Sequence, residues 1–244
     1  MAQIIKKNDD LAQKYATFRT LSIVGFAVCI ICFVTFAVTM SNFEFGGSVL
    51  LILGFGGGGL LGGLMGQKAS VYASGIQGEN ATAEIVRMLP EQYFGVQNLQ
   101  VTFDGKTSEL DMVVVGPTGV FIIETKNMKG TIVGNYDSPQ WSQRKVGQNG
   151  TPYSKSFYNP IKQVGTHVYR LANHLRANGI NVRIESMVYF SNPDAEIQLL
   201  GTPAQTPVFS ALANGTGDLH RFIMERDKKL TGEQVVQLAK HFNR

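Results

Sequence analysis

The sequence predicts a mixed α/β domain preceded by a two-helix transmembrane hairpin. Three observations carry that expectation. Residues 21–40 and 46–66 contain no Asp, Glu, Lys or Arg. The remaining 67–244 hold 18 basic and 15 acidic residues, an ordinary soluble composition over a length that supports one domain with a sizeable core. Within that part, two runs rich in β-branched residues flank the turn Gly116-Pro117-Thr118-Gly119, with helical patterns before and after them. The whole chain is 16% charged, has 27 glycines and a formal net charge of +4. That arithmetic excludes a fully soluble protein, a disordered chain, a multi-pass transporter and a disulfide-built secreted domain.

Residues 21–40 are long enough, at 1.5 Å per residue, to cross about 30 Å of hydrocarbon. Residues 46–66 are equally free of charge, and only 41–45 lie between, so a tight helical hairpin is expected. Glycine is a poor helix former in water. In lipid, however, the backbone must satisfy itself, and small residues let helices approach closely. Gly54, Gly58, Gly62 and Gly66 recur every four residues and form a seam, to be packed on the first span or on a second copy of the chain. Lys6, Lys7, Lys14 and Arg19 precede the first span and Lys68 follows the second, whereas the connection has Glu44 and no basic residue. The positive-inside rule then puts both termini in the cytoplasm, at the inner membrane. Cys29 and Cys32 stand inside the first span, where small apolar fillers are expected in place of a redox pair.

In the soluble part, 69–89 is expected to be helical up to Pro90. Strands are expected over 96–103, 110–116 and 120–126, with 131–133 pairing next. Residues 137–160 form a long polar stretch. A helix is expected over 159–178, opening Asn-Pro and closing before Gly179. A strand over 183–190 and a shorter one at Val208 follow, and then helices over 219–226 and 233–242, the last with a Thr231/Gln234 capping box.

Pairing 110–116 with 120–126 across the turn makes opposed residue numbers sum to 235. Val115 then faces Val120, Val113 faces Ile122, and Asp111 faces Glu124, two carboxylates about 5 Å apart at Cβ. Lys126 follows Glu124 by two and shares its face. Both faces of the hairpin are apolar, one with Val113, Val115, Val120 and Ile122, the other with Met112, Val114, Phe121 and Ile123, so helices are expected on both. Two facing carboxylates there are costly unless a cation lies between them. Mg²⁺ or Mn²⁺ would suit oxygen ligands, with Lys126 placed to orient a water and stabilise charge on a phosphodiester. Glu79, directly after Gly78, is a further carboxylate on an otherwise apolar helix stripe. The plain alternative is a structural salt bridge among Asp111, Glu124 and Lys126.

Gly78-Glu79, the run from Leu110 to Pro117, the run from Gly119 to Lys126, Trp141, and Asn159-Pro160-Ile161-Lys162-Gln163 together resemble the nuclease-related domain, NERD, a family similar to the PD-(D/E)XK nucleases. The resemblance covers about 75–165 and does not include the apolar hairpin. It implies an αβββαβ restriction-endonuclease-like core, a divalent metal (Mg²⁺ or Mn²⁺) on Asp111 and Glu124, Lys126 as catalytic lysine, and Glu79 as a further acidic participant. Gln163 fits the glutamine that related nucleases carry on the following helix. Met112 departs from the family's usual histidine, on the strand face opposite the carboxylates. The expected division is a cytoplasmic segment 1–20, the hairpin 21–66 and a cytoplasmic nuclease-like domain 67–244.

Between 136 and 162, Tyr136, Trp141, Tyr153, Phe157 and Tyr158 alternate with Arg144, Lys145, Lys155 and Lys162. This is either a nucleic-acid groove using Trp141, Arg144, Lys145, Lys155 and Lys162, or a hairpin whose Trp141 packs on the core. His167 and His174 are expected in core or solvent positions, and His220 and His241 show no partner pattern. The function expected first is a membrane-anchored, metal-dependent nuclease, with DNA ahead of RNA and incoming phage or plasmid DNA as a guess at its target. The alternative is a non-catalytic, membrane-tethered nucleic-acid-binding or scaffold module. A hydrolase of smaller phosphodiesters ranks third. The lipid bilayer, nucleic acid and a second copy of the chain through the glycine-rich span are the expected partners.

Overall fold

The computed structural model describes residues 1–41, 48–147 and 150–243. In chain order the elements are β1 (Gln3–Lys6), α1 (Asp10–Ser41), α2 (Ser48–Arg87), β2 (Phe94–Phe103), β3 (Lys106–Gly116), β4 (Gly119–Lys126), β5 (Gly130–Asn135), β6 (Gln140–Val146), β7 (Pro152–Tyr158), α3 (Pro160–Ala177), β8 (Ile184–Phe190), β9 (Ala195–Leu200), β10 (Val208–Ser210), α4 (Gly215–Met224) and α5 (Gly232–Asn243). The succession α2-β2-β3-β4-α3-β8 follows the expected αβββαβ order, with β5, β6 and β7 inserted before α3. The chain forms two compact units, Met1–Asn8 with Gln77–Arg244, and Asp9–Ile76. Those limits differ from a division at 20/21 and 66/67. The first residues form a strand of the α/β unit, and α2 runs past Gly66 because helix formers carry it on until Pro90 approaches.

In the Asp9–Ile76 unit, α1 and α2 supply two helices long and apolar enough to cross a membrane. The connecting stretch 42–47, with Glu44 and the start of the second expected span, lies outside the described residues. Large apolar side chains such as Ile30, Ile31, Leu50 and Leu53 are exposed on this pair, while the small residues face inward. A Cβ on Gly58 would stand 2.8 Å from the backbone of Cys29 and Gly25, and one on Gly25 2.6 Å from Gly62 N. Ser22 Oγ donates to the Gly62 carbonyl at 2.8 Å. The glycine seam is therefore taken by α1, the first of its two expected partners. Cys29 and Cys32 are free thiols packed along it, against Gly59 and Gly54.

The α/β unit has two sheets. The larger runs β1-β2-β3-β4-β8-β10, and the smaller β7-β6-β5-β9. Strands β2, β3 and β4 are antiparallel neighbours, while β1 on β2, β8 on β4 and β10 on β8 are parallel. The β3–β4 register pairs Gly116 with Gly119, Val115 with Val120 and Val113 with Ile122, as the turn predicts. Each face of this hairpin joins a separate apolar cluster. Val113, Val115, Val120 and Ile122 pack with α3 and α5 through Val164, Leu171, Leu175, Leu238 and Phe242. Met112, Val114, Phe121 and Ile123 pack with α2 and α4 through Ala83, Val86, Leu219 and Ile223. The burial of helices on both faces is what two apolar strand faces require.

The expected 137–160 polar stretch is instead the hairpin β6–β7, and β5 joins β6 and β9 in the second sheet. The capping box of α5 is present, with Thr231 N donating to Gln234 Oε1 at 2.9 Å and Gln234 N to Thr231 Oγ1 at 3.3 Å.

Candidate active site

The polar groups gather where the β3–β4 hairpin leaves its turn and the apolar face runs out. Pairing continues through Met112 with Ile123. One step further, Asp111 uses its carboxylate in place of a ladder bond, Oδ2 accepting from Thr125 N at 2.8 Å. On the other side of β3, pairing with β2 skips Asn98 and Asp111. Asn98 there adopts φ 54°, a left-handed conformation uncommon outside glycine and tolerated by asparagine. That twist directs Asn98 Nδ2 to Glu79 Oε2 at 3.0 Å.

Glu79 reaches this position because α2 approaches the sheet at Gly78. A Cβ on Gly78 would lie 2.9 Å from the Asn127 side chain and 3.2 Å from that of Thr125. Thr82, one turn on, shares a hydrogen bond with Thr125 between hydroxyls 2.8 Å apart.

Glu124 is 1% exposed. Its Oε1 accepts from Lys126 Nζ at 2.7 Å, and Lys126 Nζ also donates to Gln163 Oε1 at 3.0 Å. Its Oε2 lies 3.3 Å from His167 Nε2. That pair has the distance of a hydrogen bond without its alignment. Glu124 Oε2 and both ring nitrogens of His167 are buried without a hydrogen-bond partner. Leaving such a group unpaired costs about 1–3 kcal/mol. Both Gln163 and His167 come from α3, whose first turn is set by the Asn159 side chain accepting from Ile161 N at 2.9 Å with Pro160 in the first turn. Buried positions Pro160, Val164, His167, Leu171 and Leu175 follow at helical spacing, so His167 enters the site as part of the α3 stripe that covers the sheet.

The electrostatics of the two carboxylates diverge. Burial and the neighbouring Glu124 charge push the Asp111 pKa well above the ordinary carboxylate value, with Glu79 adding to the rise and Lys126 and the Thr125 amide opposing it. Burial also opposes ionisation of Glu124, yet His167 and Lys126 together outweigh it and hold that carboxyl below its usual pKa. One charge of the pair is thus compensated and the other is not.

Whether the residues fit a divalent cation turns on this imbalance. Among the described residues no three His, Cys, Asp or Glu side chains stand together at metal-ligand spacing. The carboxylate oxygens of Asp111 and Glu124 are of the type a hard divalent cation takes, with Glu124 already paired to Lys126 and 3.3 Å from His167 Nε2.

Of the sequence-predicted residues, Glu124, Lys126 and Gln163 are joined by direct hydrogen bonds, while Asp111 and Glu79 enter through Thr125 and Asn98 and through their mutual field. Asn98 was not anticipated, while His167 takes a core position, one of the two expected for it, and there meets Glu124. Position 167 was visible on the α3 stripe, but nothing in the sequence shows that the stripe ends over two carboxylates. His241 was also expected without a partner, and it lies with its Nε2 3.3 Å from that of His174.

The basic stretch divides. Trp141 is 1% exposed, stacked on Phe190 at 6.5 Å, with Nε1 donating to the Asn135 carbonyl at 2.9 Å. Its expected role against bases is corrected: Gly134 opens a cradle for the ring, a Cβ there falling 2.4 Å from it, and the indole is core. Register places Lys145 opposite Tyr153 and Gln143 opposite Lys155, so Lys145 and Lys155 share one strand face, and Arg144 with Ser154 takes the other. Burial, then Lys129 and Lys155, push the Lys145 pKa down, which marks a cluster of three lysines. Lys129 was not anticipated. Its carbonyl accepts from Gln143 Nε2 at 2.8 Å, fixing the cluster three residues beyond Lys126 in the chain. Lys162 is exposed on the first turn of α3.

Residues 74–191 match the family model described as the nuclease-related domain. An uncharacterised protein of Bacillus anthracis is 33% identical over 96 residues, which is 38% of this chain and 43% of that protein, so the chain spans less than half the length of this curated relative. No solved structure matches the chain. The matched span contains Glu79, Asp111, Glu124, Lys126, Gln163 and His167 alike, so the candidate site lies within the part of the chain that is similar to the nuclease-related domain.

Proposed function

We propose that the protein is a membrane-anchored nuclease of the PD-(D/E)XK type that hydrolyses phosphodiester bonds, in DNA before RNA, with a divalent cation. The observation that carries the reading is the Lys126 ammonium held between Glu124 and Gln163, beside a second carboxylate, Asp111, whose charge has too little compensation within the protein. Asp111 and Glu124 would hold Mg²⁺ or Mn²⁺, which supplies a more acidic water and a counter-charge to the phosphate. The chain's own residues do the rest. Glu124 and Gln163 fix the Lys126 ammonium so that it need not reorganise to meet developing negative charge. Glu79, held by Asn98, strengthens the local demand for a cation. Lys129, Lys145 and Lys155 offer phosphate-binding charge on the smaller sheet.

The exposed apolar surfaces of α1 and α2 support anchoring in a bilayer. Lys6, Lys7, Lys14, Arg19 and Lys68 support cytoplasmic termini. The rival reading, a tethered binding or scaffold module, draws on the same Glu124–Lys126 contact taken as a structural ion pair. The deciding experiment uses the full chain in detergent micelles with DNA and RNA substrates in Mg²⁺, Mn²⁺ or EDTA. Cleavage with metal and none with EDTA is expected. Intact substrates under all three conditions would leave the scaffold reading standing.

A further inference from the structure

We propose that the inner face of the β6–β7 hairpin, beyond Trp141 and Phe157, binds single-stranded DNA, with the Tyr153 ring stacked on a base and Lys129, Lys145 and Lys155 taking the phosphates. This deepens the nuclease reading above by naming the form of its substrate, and it rests on nucleic acid being that substrate.

The strand register orders the face. Opposed residues on β6 and β7 point to the same side, so Trp141 with Phe157, Gln143 with Lys155 and Lys145 with Tyr153 succeed one another along it. The first pair is core. Its rings meet edge to face with centroids 6.3 Å apart, and both pack in the apolar cluster that contains Val164 of α3, the helix that supplies Gln163. The second pair marks the passage outward, with Gln143 buried and Lys155 exposed. At the third pair the core has ended, and Tyr153 is 51% exposed.

The ring is left open by its neighbours. Among the described residues no other ring or cation stacks on Tyr153. Gly147 follows Lys145 by two on the same face, and a Cβ there would stand only 3.9 Å from the Tyr153 ring. Gly130 lies under the Lys145 stem, where a Cβ would come within 3.3 Å of Cγ. Glycine at both positions leaves room over the face for a planar group.

Three lysines share this neighbourhood. Lys145 lies beside Lys129 and Lys155, whose charges, after burial, push its pKa down. Gln143 Nε2 donates to the Lys129 carbonyl at 2.8 Å, which ties the cluster to the segment that follows Lys126 out of β4. Among the described residues none of these three lysines is in an ion pair, whereas Lys126 and Lys229 each have a carboxylate. Uncompensated like charges repel one another, and a polyanion relieves them.

Phosphates alone do not distinguish one strand from two, but the ring does. In a duplex the faces of the bases are taken by their neighbours in the stack, and a flat sheet face meets only backbone. An unpaired strand can lay a base on an exposed ring. Tyr153 has Lys145 directly across, about 5 Å away at Cβ, and Lys155 two residues along its own strand, about 7 Å away. A base on the ring thus has cations within reach of its own flanking phosphates, the combination that binds single strands without reading sequence.

The test follows the anisotropy of a labelled oligonucleotide with the full chain in detergent and EDTA, so that metal-dependent cleavage is off. The wild type should bind the single strand more tightly than its duplex. Tyr153→Ala should lose single-strand affinity by on the order of tenfold, as expected for one stacked base, with little change for the duplex. Tyr153→Phe should keep the preference, because the ring and not the hydroxyl carries it. Duplex bound as tightly as the single strand, a preference that survives Tyr153→Ala, or an RNA strand of the same sequence bound more tightly than the DNA overturns the proposal. Should Tyr153→Ala fail to fold, Tyr153→Leu keeps the bulk without the aromatic face and takes its place. Cleavage in Mg²⁺ or Mn²⁺ is read separately. Metal-dependent cutting without a Tyr153-dependent preference overturns this surface and leaves the nuclease reading, whereas Tyr153-dependent single-strand binding without any cutting supports the surface and overturns the nuclease reading.

Discussion

The two faces of the β3–β4 hairpin are made by the same two strands, yet they are chemically unlike. Toward α2 and α4 the face is Met112, Val114, Phe121 and Ile123, all essentially inaccessible, and it meets only apolar partners. Toward α3 it begins the same way, with Val113, Val115, Val120 and Ile122, and then changes at one pleat to Asp111, Glu124 and Lys126. The first face gains stability from burial. The second gives some of that up, because an incompletely compensated carboxylate is set into the sheet. The difference shows how a period-2 pattern can hold a reactive cluster rigidly: the apolar residues upstream of each polar one fix the strand, and the polar side chains inherit its precision.

The comparison is most severely tested by truncating the purely apolar face. Phe121→Ala removes a fully buried ring and should cost about 3–5 kcal/mol of stability, seen as a large drop in melting temperature. Any protein that remains folded should keep its metal response, because Phe121 is on the far side of the sheet from Glu124. Loss of metal binding in folded Phe121→Ala would mean that the faces are not independent.

On the other face, Lys126→Ala leaves the buried Glu124 carboxylate with less compensation, so melting temperature should fall, and the folded protein should lose turnover about a hundredfold or more, in line with removal of one charge-stabilising donor. Mn²⁺ and nucleic-acid binding should persist. A variant that cuts at the wild-type rate would assign Lys126 to structure.

A smaller effect separates the carboxylates. The folded pKa of Asp111 lies above its unfolded value, so between the two the native state keeps a proton that the unfolded chain releases. Metal-free stability therefore falls as pH rises from the ordinary aspartate pKa through the raised one, and stays lower above it. Asp111→Asn should raise the metal-free melting temperature at neutral pH by a few degrees, roughly 2–4 °C per kcal/mol gained, with the gain vanishing below the ordinary aspartate pKa. The same variant should no longer be stabilised by added metal. Thermal melts across pH, with and without Mn²⁺, check both halves.

The smallest effect lies off the hairpin. Lys145→Ala with Lys155→Ala should weaken nucleic-acid binding without altering metal affinity, and lower the salt dependence of binding by about two in log-log slope if both lysines contact phosphates. An unchanged slope would remove the lysine cluster from the binding surface.

Much of this was legible before any coordinates. The turn Gly116-Pro117-Thr118-Gly119 sets the register, and the register alone brings position 111 toward 124 and puts 126 on the same side. The capping residues of α3 and α5 are local chemistry and read correctly. What escaped depends on contacts far apart in sequence. Trp141 was set among cations and aromatic rings in the chain, but Gly134 and Phe190, distant from it in sequence, draw the indole inward. His167 looks like any histidine on an amphipathic helix until α3 is laid over Glu124. Asn98 sits inside a strand pattern, and its left-handed backbone follows from the site around it, with no turn signal in the sequence. The hairpin β6–β7 and strand β9 are short and polar on one side, so alternation hardly distinguishes them from loop.

The strand β1 pairs in parallel with the start of β2, Gln3 with Phe94 through Lys6 with Gln97, and is clasped by bonds from Ala2 N to the Leu89 carbonyl and from Lys7 N to the Gln97 carbonyl. It precedes the two apolar helices in the chain and cannot pair until residues more than eighty positions later have been made. The sheet edge thus closes late, because the two apolar helices lie between its strands in the chain. Loop closure grows only slowly in cost with length, so the interval weighs more on folding rate than on final stability. It also bears on how the domain can be cut free. Removing residues 1–66 to obtain a soluble fragment would take away β1 and leave Phe94–Gln97 as an open edge, ready to pair with another chain. Joining residues 1–8 to residue 77 through a short flexible linker would keep that edge closed, and comparing the aggregation of the two fragments would measure what those first residues contribute.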